Sequence, residues 1–151
     1  MGYDVDKVSQ REELDAVIRA CRVCRLGMAD KDVPYVVPMS FGYDGSFIFF
    51  HCALEGRKLD VLRRNPRVCV EFDILDAMIE SDRGCGWGMR YRSVLVFGTA
   101  AIVEDTREKI RGLDVLLAQY SPGKYTYPPK MLERTAVVRV AVESMTGRKR
   151  R

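Results

Sequence analysis

The sequence lacks any long apolar segment. No run of its 151 residues approaches the about 20 apolar residues that a membrane-spanning helix requires. Its first residues also lack the apolar core of a secretory signal peptide. With 47% hydrophobic and 30% charged residues, the composition is ordinary for a globular protein. These features predict a single cytoplasmic domain over residues 1–151 that makes no contact with a membrane.

Cysteine and histidine are too few and too scattered to form a recognisable metal or disulfide framework. The five cysteines are an odd number with irregular spacing, which argues against a secreted disulfide scaffold. Cys21 and Cys24 alone have the spacing of a metal or redox pair. Zinc would need two further ligands, and neither the other cysteines nor the one histidine supplies a second pair. We therefore expect buried thiols and no metal site.

Net charge is also small, at +4, and the last four residues, Arg148–Arg151, are all basic. A basic tail could contact nucleic acid or an anionic lipid surface. Chain ends are more often solvated and poorly ordered, however. The sequence thus predicts a disordered tail over residues 147–151 and makes nucleic-acid binding the weaker interpretation.

A strand followed by an unusually charged helix is the most informative feature that is present. The apolar segment Phe47–His51 follows Asp44–Gly45, a strong hairpin signal, and predicts a buried strand. A short helix should follow and stop before Pro66. Its first turn carries Arg57 and Lys58, although the positive end of a helix dipole disfavours cations. The arrangement becomes favourable if an anion such as phosphate binds there, whereas the alternative is two ordinary solvated charges.

Two further helices are indicated by capping patterns. Ser9 and Glu12 have the spacing of a capping box and precede apolar residues at helical spacing. Asp105 and Glu108 begin a second amphipathic segment in a similar way.

Extended segments make up most of the remaining chain. Strands are predicted at residues 23–29, 34–41, 68–73, 90–104 and 136–142, with an irregular segment at 74–90. Pro38 inside a strand marks an edge or a bulge, and Gly98 marks a bend. About six strands joined mostly by short turns indicate a mainly β protein, an antiparallel sheet closed into a small barrel with a few helices.

The order and spacing of several segments resemble the pyridoxamine 5′-phosphate oxidase-like, flavin-binding split-barrel family, and within it the nitroimidazole-resistance group. The segments that carry the resemblance are Pro34–Tyr43, Phe50–Asp60, Asn65–Pro66 and Tyr91–Val94 with Gly98. The resemblance implies an antiparallel split β-barrel, two chains forming a homodimer, and FMN bound between them.

The resemblance also implies positions for the cofactor. Arg57 and Lys58 would bind the FMN phosphate, which agrees with the charge argument above. The flavin ring would lie along Val36, Val37, Pro38, Met39, Ser40 and Phe41, while Phe50, His51 and Cys52 would face the ribityl chain and phosphate. Tyr91 and Ser93 would reach the flavin from the second subunit.

The activity implied is that of an FMN-dependent oxidoreductase that reduces small acceptors such as nitroaromatic compounds, with reduced nicotinamide as a possible donor. His51 is the candidate catalytic residue, because a histidine side chain can donate a proton or bind an anionic group, and the alternative is a buried, hydrogen-bonded strand residue. The chain lacks the Arg- and His-bearing motif of true pyridoxamine phosphate oxidases near its C-terminus, so we do not expect that activity. Other functions left open are non-catalytic flavin binding or redox sensing, and haem binding through His51.

Overall fold

The computed structural model describes residues 5–151 and is dominated by one eight-stranded antiparallel sheet. The strands are β1 (Val5–Val8), β2 (Cys24–Asp30), β3 (Val33–Met39), β4 (Gly42–Tyr43), β5 (Phe47–Ala53), β6 (Arg67–Ile79), β7 (Gly88–Val103) and β8 (Thr135–Arg150). The helices are α1 (Arg11–Ala20), α2 (Arg57–Arg64), α3 (Thr106–Ala118) and α4 (Pro129–Arg134), and a 3-10 turn covers Gly84–Gly86. No helix within residues 5–151 has both the length and the apolar character needed to cross a membrane.

The strands follow the order β3-β2-β6-β7-β8-β5-β4, and β1 pairs with the far end of β8. One face of each central strand lines a common apolar core, to which α1 and α2 also contribute. Fully buried members include Ile18, Leu26, Val61, Val70 and Val138. The prediction of a mainly antiparallel β-barrel with a few helices is confirmed.

Several local predictions are confirmed by hydrogen bonds and register. The Asp105 side chain accepts a hydrogen bond from the Glu108 N–H at 3.1 Å and so caps α3. Gly98 lies at a register shift between β7 and β8, where a side-chain carbon would collide with the Ala141 carbonyl oxygen. Asp44 accepts from the Phe47 N–H at 2.7 Å in the turn before β5. Asp105 and Asp44 were identifiable because their roles are decided by near neighbours in the chain. Gly98 is required by a contact with another strand, but a glycine inside a strand pattern is itself a signal for a bulge.

The prediction that residues 74–90 form an irregular segment is largely wrong. β6 continues to Ile79 and β7 begins at Gly88, so that the two strands form a long hairpin arm with a register shift between Leu75 and Ala77. The shift breaks the regular alternation of apolar and polar residues, which hides the strand in the sequence. The ladder hydrogen bonds persist because they depend on the backbone and not on side-chain type.

The predicted disorder of residues 147–151 is also wrong. Residues 147–150 form the end of β8 and pair with β1 on one side and β7 on the other. The Lys149 amine lies 2.6 Å from a carboxylate oxygen of Glu13, and Arg151 pairs with Asp6 at 3.5 Å. The tail is ordered because β1, a four-residue strand with no clear sequence signal, supplies its second hydrogen-bonding partner.

Two other expectations at the chain's beginning have different outcomes. The capping box does not form, since α1 starts after Gln10 and no side chain caps it.

Cys21 and Cys24 are buried as expected, and their thiols donate to the carbonyl oxygens of Asp73 and Met39. Burial raises the pKa of Cys21 to about 11 and raises the pKa of Cys24 as well, so both remain protonated and unreactive at neutral pH.

Candidate cofactor site

The N-terminus of helix α2 is free of any side-chain cap. Its N-cap residue, Gly56, has φ 143°, a conformation that residues with a β-carbon rarely adopt, and makes no side-chain capping bond. The first backbone N–H groups of the helix have no partners within the helix. Together with the positive end of the helix dipole, such groups favour an anion at this position.

The charges along α2 are neutralised at one end and not at the other. At the C-terminal end, Arg63 pairs with Asp60 at 3.5 Å and Arg64 pairs with Asp30 at 2.9 Å. Within residues 5–151, Arg57 and Lys58 form no ion pair with a carboxylate. The helix therefore has two cations without an ion-pair partner at the end where its dipole is already positive.

Arg57 does not extend freely into solvent. Its guanidinium carbon lies 4.2 Å from the centre of the Tyr35 ring, in a cation–π contact. Tyr35 is half-buried on β3 and packs against the core. This contact holds the first cation of α2 against β3, the strand that would lie along a flavin ring according to the family resemblance.

Strand β3 is an edge strand. It pairs with β2 alone, and its other edge pairs with no strand among the described residues. Pro38 lies in this strand opposite Arg25, as expected for a residue that cannot donate to a second neighbour. Met39 and Phe41 point into the core, whereas Val36 is 61% exposed. Contacts from residues 36–41 to a ligand would thus come mainly from the backbone and from the outward side chains Val36, Pro38 and Ser40.

The end of β5 opens toward the same helix. β5 pairs with β4 only at Ile48 and Phe49, so its second edge is unpaired from Phe50 onward within the described chain. Phe50 is buried, and Cys52 is half-buried. Burial raises the pKa of the Cys52 thiol, and the nearby Lys58 ammonium partly offsets that rise. The Lys58 side chain therefore lies near Cys52 at the end of β5.

His51 has an exposed side chain on the outer face of β5, opposite Val137 of β8. The alternative of a buried, hydrogen-bonded strand histidine is wrong, because the inward positions are taken by Phe50 and Cys52. An exposed imidazole next to an open strand edge is available to a ligand.

Tyr91 and Ser93 lie elsewhere on the chain's surface. They stand on the outer face of β7, and β6 and β2 separate them from β3. They do not join Arg57 and Lys58 within one chain. They line a separate cavity of about 330 Å³, which also contains apolar side chains and two carboxylates. The residues that accompany them are Glu71, Asp73, Ile74, Leu75 and Met89.

An apolar outer face lies between these two regions, although its residues were not predicted from the sequence to be exposed. Leu95 and Phe97 of β7 are 37% and 43% exposed, and Val36 of β3 is more exposed still. A second cavity of about 360 Å³ adjoins Phe97. The signal was present in the sequence, because both alternating faces of the β7 pattern contain large apolar residues.

Solved structures with the same fold include proteins named for flavin binding and for antibiotic resistance. A proposed 5-nitroimidazole antibiotic resistance protein from Bacteroides thetaiotaomicron is 29% identical with a TM-score of 0.88, over 98% of this chain and 89% of its own. An FAD-binding protein from Mesorhizobium loti is 25% identical with a TM-score of 0.74, over 98% and 99%. An FAD and heme binding protein from Mycobacterium smegmatis shares the fold, at 22% identity and a TM-score of 0.87, over 95% and 73%.

A family model described as pyridoxamine 5′-phosphate oxidase matches residues 10–149. The matched region spans every element from α1 to nearly the end of β8. The chain therefore belongs to the pyridoxamine 5′-phosphate oxidase-like family of flavin-binding split barrels, and the resemblance inferred from its motifs is confirmed.

Proposed function

We propose that this chain binds FMN as a homodimer and acts as an oxidoreductase that reduces small acceptors such as nitroaromatic compounds. The observation that carries the proposal is the uncapped N-terminus of α2, where two cations without acidic partners stand beside the open edge of β3. Fold alone would not decide the function, because one fold hosts many activities. The charge arrangement adds a reason for a phosphate-bearing ligand at this position.

Arg57 and Lys58 are assigned to the terminal phosphate of FMN. A phosphate there would accept hydrogen bonds from the backbone N–H groups of α2 and from both side chains. The flavin ring would lie along Val36–Phe41, where the edge of β3 offers backbone groups, and the ribityl chain would run past Phe50–Cys52. When bound, FMN accepts a hydride and passes electrons to an acceptor, and the protein binds and orients both partners.

Dimerisation is supported by the distance along the sheet between two groups of proposed site residues, Arg57 with Lys58 and Tyr91 with Ser93. Tyr91 and Ser93 cannot reach the Arg57 region of their own chain, because two strands intervene. A second copy packed on the apolar outer face of Leu95 and Phe97 would bring its own Tyr91 and Ser93 toward the cofactor. An exposed apolar sheet face of this kind is typical of a subunit interface.

The phosphate assignment is tested by comparing two double variants of the same helix. Arg57→Ala with Lys58→Ala should lower the flavin content of the purified protein to near zero. Arg63→Ala with Arg64→Ala removes the same charge from the other end of α2 and should leave flavin content unchanged. Equal flavin occupancy in the two variants would contradict the assignment. Chromatography of the released cofactor identifies it as FMN or FAD, since one relative is an FAD-binding protein.

His51 is proposed to contact the substrate and not to hold the cofactor. Its exposed side chain lies beside the open edge of β5, where an imidazole can donate a proton or bind an anionic group. His51→Ala should keep its flavin and lose rate with nitroaromatic acceptors. Loss of flavin in this variant would instead show a cofactor-binding role.

Two other functions are separated by the same measurements. A non-catalytic flavin protein would show flavin absorption bands that reduced nicotinamide does not bleach. It would also not convert a nitro compound when both reagents are present. Haem binding, the function in the name of one relative of similar fold, would give a Soret band that is lost in His51→Ala. His51 is the only histidine in the chain.

A further inference from the structure

A row of polar side chains crosses the outer face of three neighbouring strands near the end of β8. Lys7 of β1 lies opposite Arg148 of β8, and Arg148 lies opposite Ser93 of β7. Directly opposed residues of antiparallel strands point to the same face with their β-carbons about 5 Å apart. The next residues in each strand, which point inward, are buried: Val8, Gly147 and Val94. The row Lys7–Arg148–Ser93 therefore faces outward.

The two cations of this row are placed unfavourably for an isolated protein. Like charges directly opposite each other on a sheet are destabilising. Two neighbouring cations have acidic partners, since Lys149 pairs with Glu13 at 2.6 Å and Arg92 pairs with Asp76 at 2.7 Å. Neither Lys7 nor Arg148 forms an ion pair with any residue from 5 to 151. An anion bound between them would remove the repulsion.

The row borders a cavity suited to a small aromatic ring. Ser93 lines the cavity of about 330 Å³, whose other side chains include the apolar Leu75 and Met89. Ligand pockets of this size typically combine apolar walls with a few polar groups. A ring in the cavity would carry its substituents toward Ser93 and the two cations.

The carboxylates in the cavity do not cancel those cations. Asp73 and Glu71 lie on the side of the cavity toward β2, where the Arg25 guanidinium is 3.5 Å from Asp73 and 3.9 Å from Glu71. Their negative charge is thus partly compensated by Arg25. The two carboxylates are the charged residues of the cavity lining, and the cations Arg148 and Lys7 lie beyond Ser93 on the opposite side. This arrangement would orient a ligand with its anionic group outside the cavity and its ring inside.

We propose that Lys7 and Arg148 bind the carboxylate or phosphate of a small aromatic compound whose ring enters this cavity. A guanidinium can bind either oxyanion through two parallel hydrogen bonds, and the Ser93 hydroxyl can donate a third. That this compound is the electron acceptor rests on the proposed function, since Tyr91 and Ser93 are the residues proposed to approach the partner's cofactor. Binding itself does not depend on it.

The test is a calorimetric titration of the full-length chain with three ligands, in the presence of excess FMN to occupy the α2 site. The ligands are 4-nitrobenzoate, phenyl phosphate and the uncharged 4-nitrobenzamide. Lys7→Gln with Arg148→Gln should weaken binding of the anionic ligands by about tenfold or more, because charge-assisted hydrogen bonds are lost. Binding of the amide should stay unchanged. Arg107→Gln with Lys130→Gln removes two exposed cations from α3 and α4 and should bind all three ligands like the unaltered chain.

The proposal is overturned if the Lys7/Arg148 variant binds the two anions as tightly as the unaltered chain, or if neither anion binds at all. It is also overturned if the Arg107/Lys130 variant loses as much affinity, since that would show a nonspecific effect of charge. Tighter binding of one anion than of the other supports the proposal and identifies the group as phosphate or carboxylate. Flavin content, measured separately in the Arg57/Lys58 variant, decides the proposed function independently of this result.

Discussion

The guanidinium of Arg57 stacks on the ring of Tyr35 with 4.2 Å between the guanidinium carbon and the ring centre. The contact joins the first residue of α2 to the middle of the edge strand β3. It fixes the direction of a cation that has no acidic partner in residues 5–151. The contact therefore fixes α2, which is proposed to bind the FMN phosphate, relative to β3, which is proposed to lie along the flavin ring.

Replacing Tyr35 tests this positioning role. Tyr35→Phe keeps the aromatic ring and should bind FMN like the unaltered chain. Tyr35→Leu should weaken FMN binding by about two- to fivefold, as expected for loss of a partly exposed cation–π contact. Quenching of flavin fluorescence on titration measures both dissociation constants. Equal FMN affinities for the Leu and Phe variants would show that the Tyr35 ring does not position Arg57 for FMN binding.

Gly56 is the second residue whose local geometry makes a clear prediction. Its φ of 143° is strained for any residue with a β-carbon, although no neighbouring atom would obstruct one. Gly56→Ala should therefore lower the free energy of unfolding by about 1 kcal/mol or more through backbone strain alone. For a chain of this size the melting temperature should fall by about 2–4 °C.

The matched control for that variant is Gly84→Ala. Gly84 also has open space around its α-carbon, but its backbone lies outside the left-handed region. Thermal unfolding of the Gly84 variant should differ little from that of the unaltered chain. If the two variants melted at the same temperature, strain at Gly56 would not be the cause of any loss.

Glu71 makes stability depend on pH in an unusual direction. Burial, with the adjacent Asp73 carboxylate as the second cause, raises the pKa of Glu71 to about 7, and Arg25 opposes the rise. Because the folded pKa is higher than the unfolded one, the folded state holds the proton more tightly. The stabilisation from Glu71 is complete below the unfolded pKa of 4.5 and is lost as pH rises toward 7.

Glu71→Gln should remove this dependence. The variant cannot ionise, so its melting temperature should exceed that of the unaltered chain at pH 8 and should approach it at pH 5. The side chain is only partly buried, at 31% exposure, so the effect should be modest. A melting-temperature difference that stayed constant between pH 5 and pH 8 would exclude Glu71 as the titrating group.

The sequence was informative where a single residue decides the local structure. Pro38 marked the edge strand, Gly98 marked the bulge in β7, and Asp105 marked the start of α3. Pro38 and Asp105 act through a backbone constraint and a hydrogen bond to a near neighbour, so no distant contact is needed to predict them. Gly98 is required by the Ala141 carbonyl of β8, but a glycine inside a strand pattern already indicates a bulge.

The sequence failed where pairing with a distant strand decides the structure. The order of residues 147–150 depends on β1, and the β6–β7 arm extends through a segment without regular alternation. In the proposed site, the helix dipole argument suggested Arg57 and Lys58 as candidates. The contact between Arg57 and Tyr35 joins residues 22 positions apart, and no local pattern encodes such a tertiary contact.

The exposed side chain of Phe97 provides the most direct test of the dimer. Phe97 lies on the outer face of β7 with 43% of its surface exposed, next to Leu95. A carboxylate buried without a partner in an apolar interface is strongly unfavourable, so Phe97→Asp should shift the chain to monomer. Because Tyr91 and Ser93 of a second copy are proposed to complete the site, this variant should also lose affinity for FMN. Sedimentation velocity and flavin content, measured on the same preparation, record the two effects.

Met131→Asp is the matched control for the Phe97 variant. Met131 is an apolar residue with 61% exposure, but it lies on α4, away from the outer face of β7. Its replacement should change neither the sedimentation coefficient nor the flavin content. A Phe97→Asp variant that became monomeric and still held its flavin would show that one chain suffices for the cofactor. The role of Tyr91 and Ser93 from a second copy would then be wrong, while the phosphate position at Arg57 and Lys58 would stand.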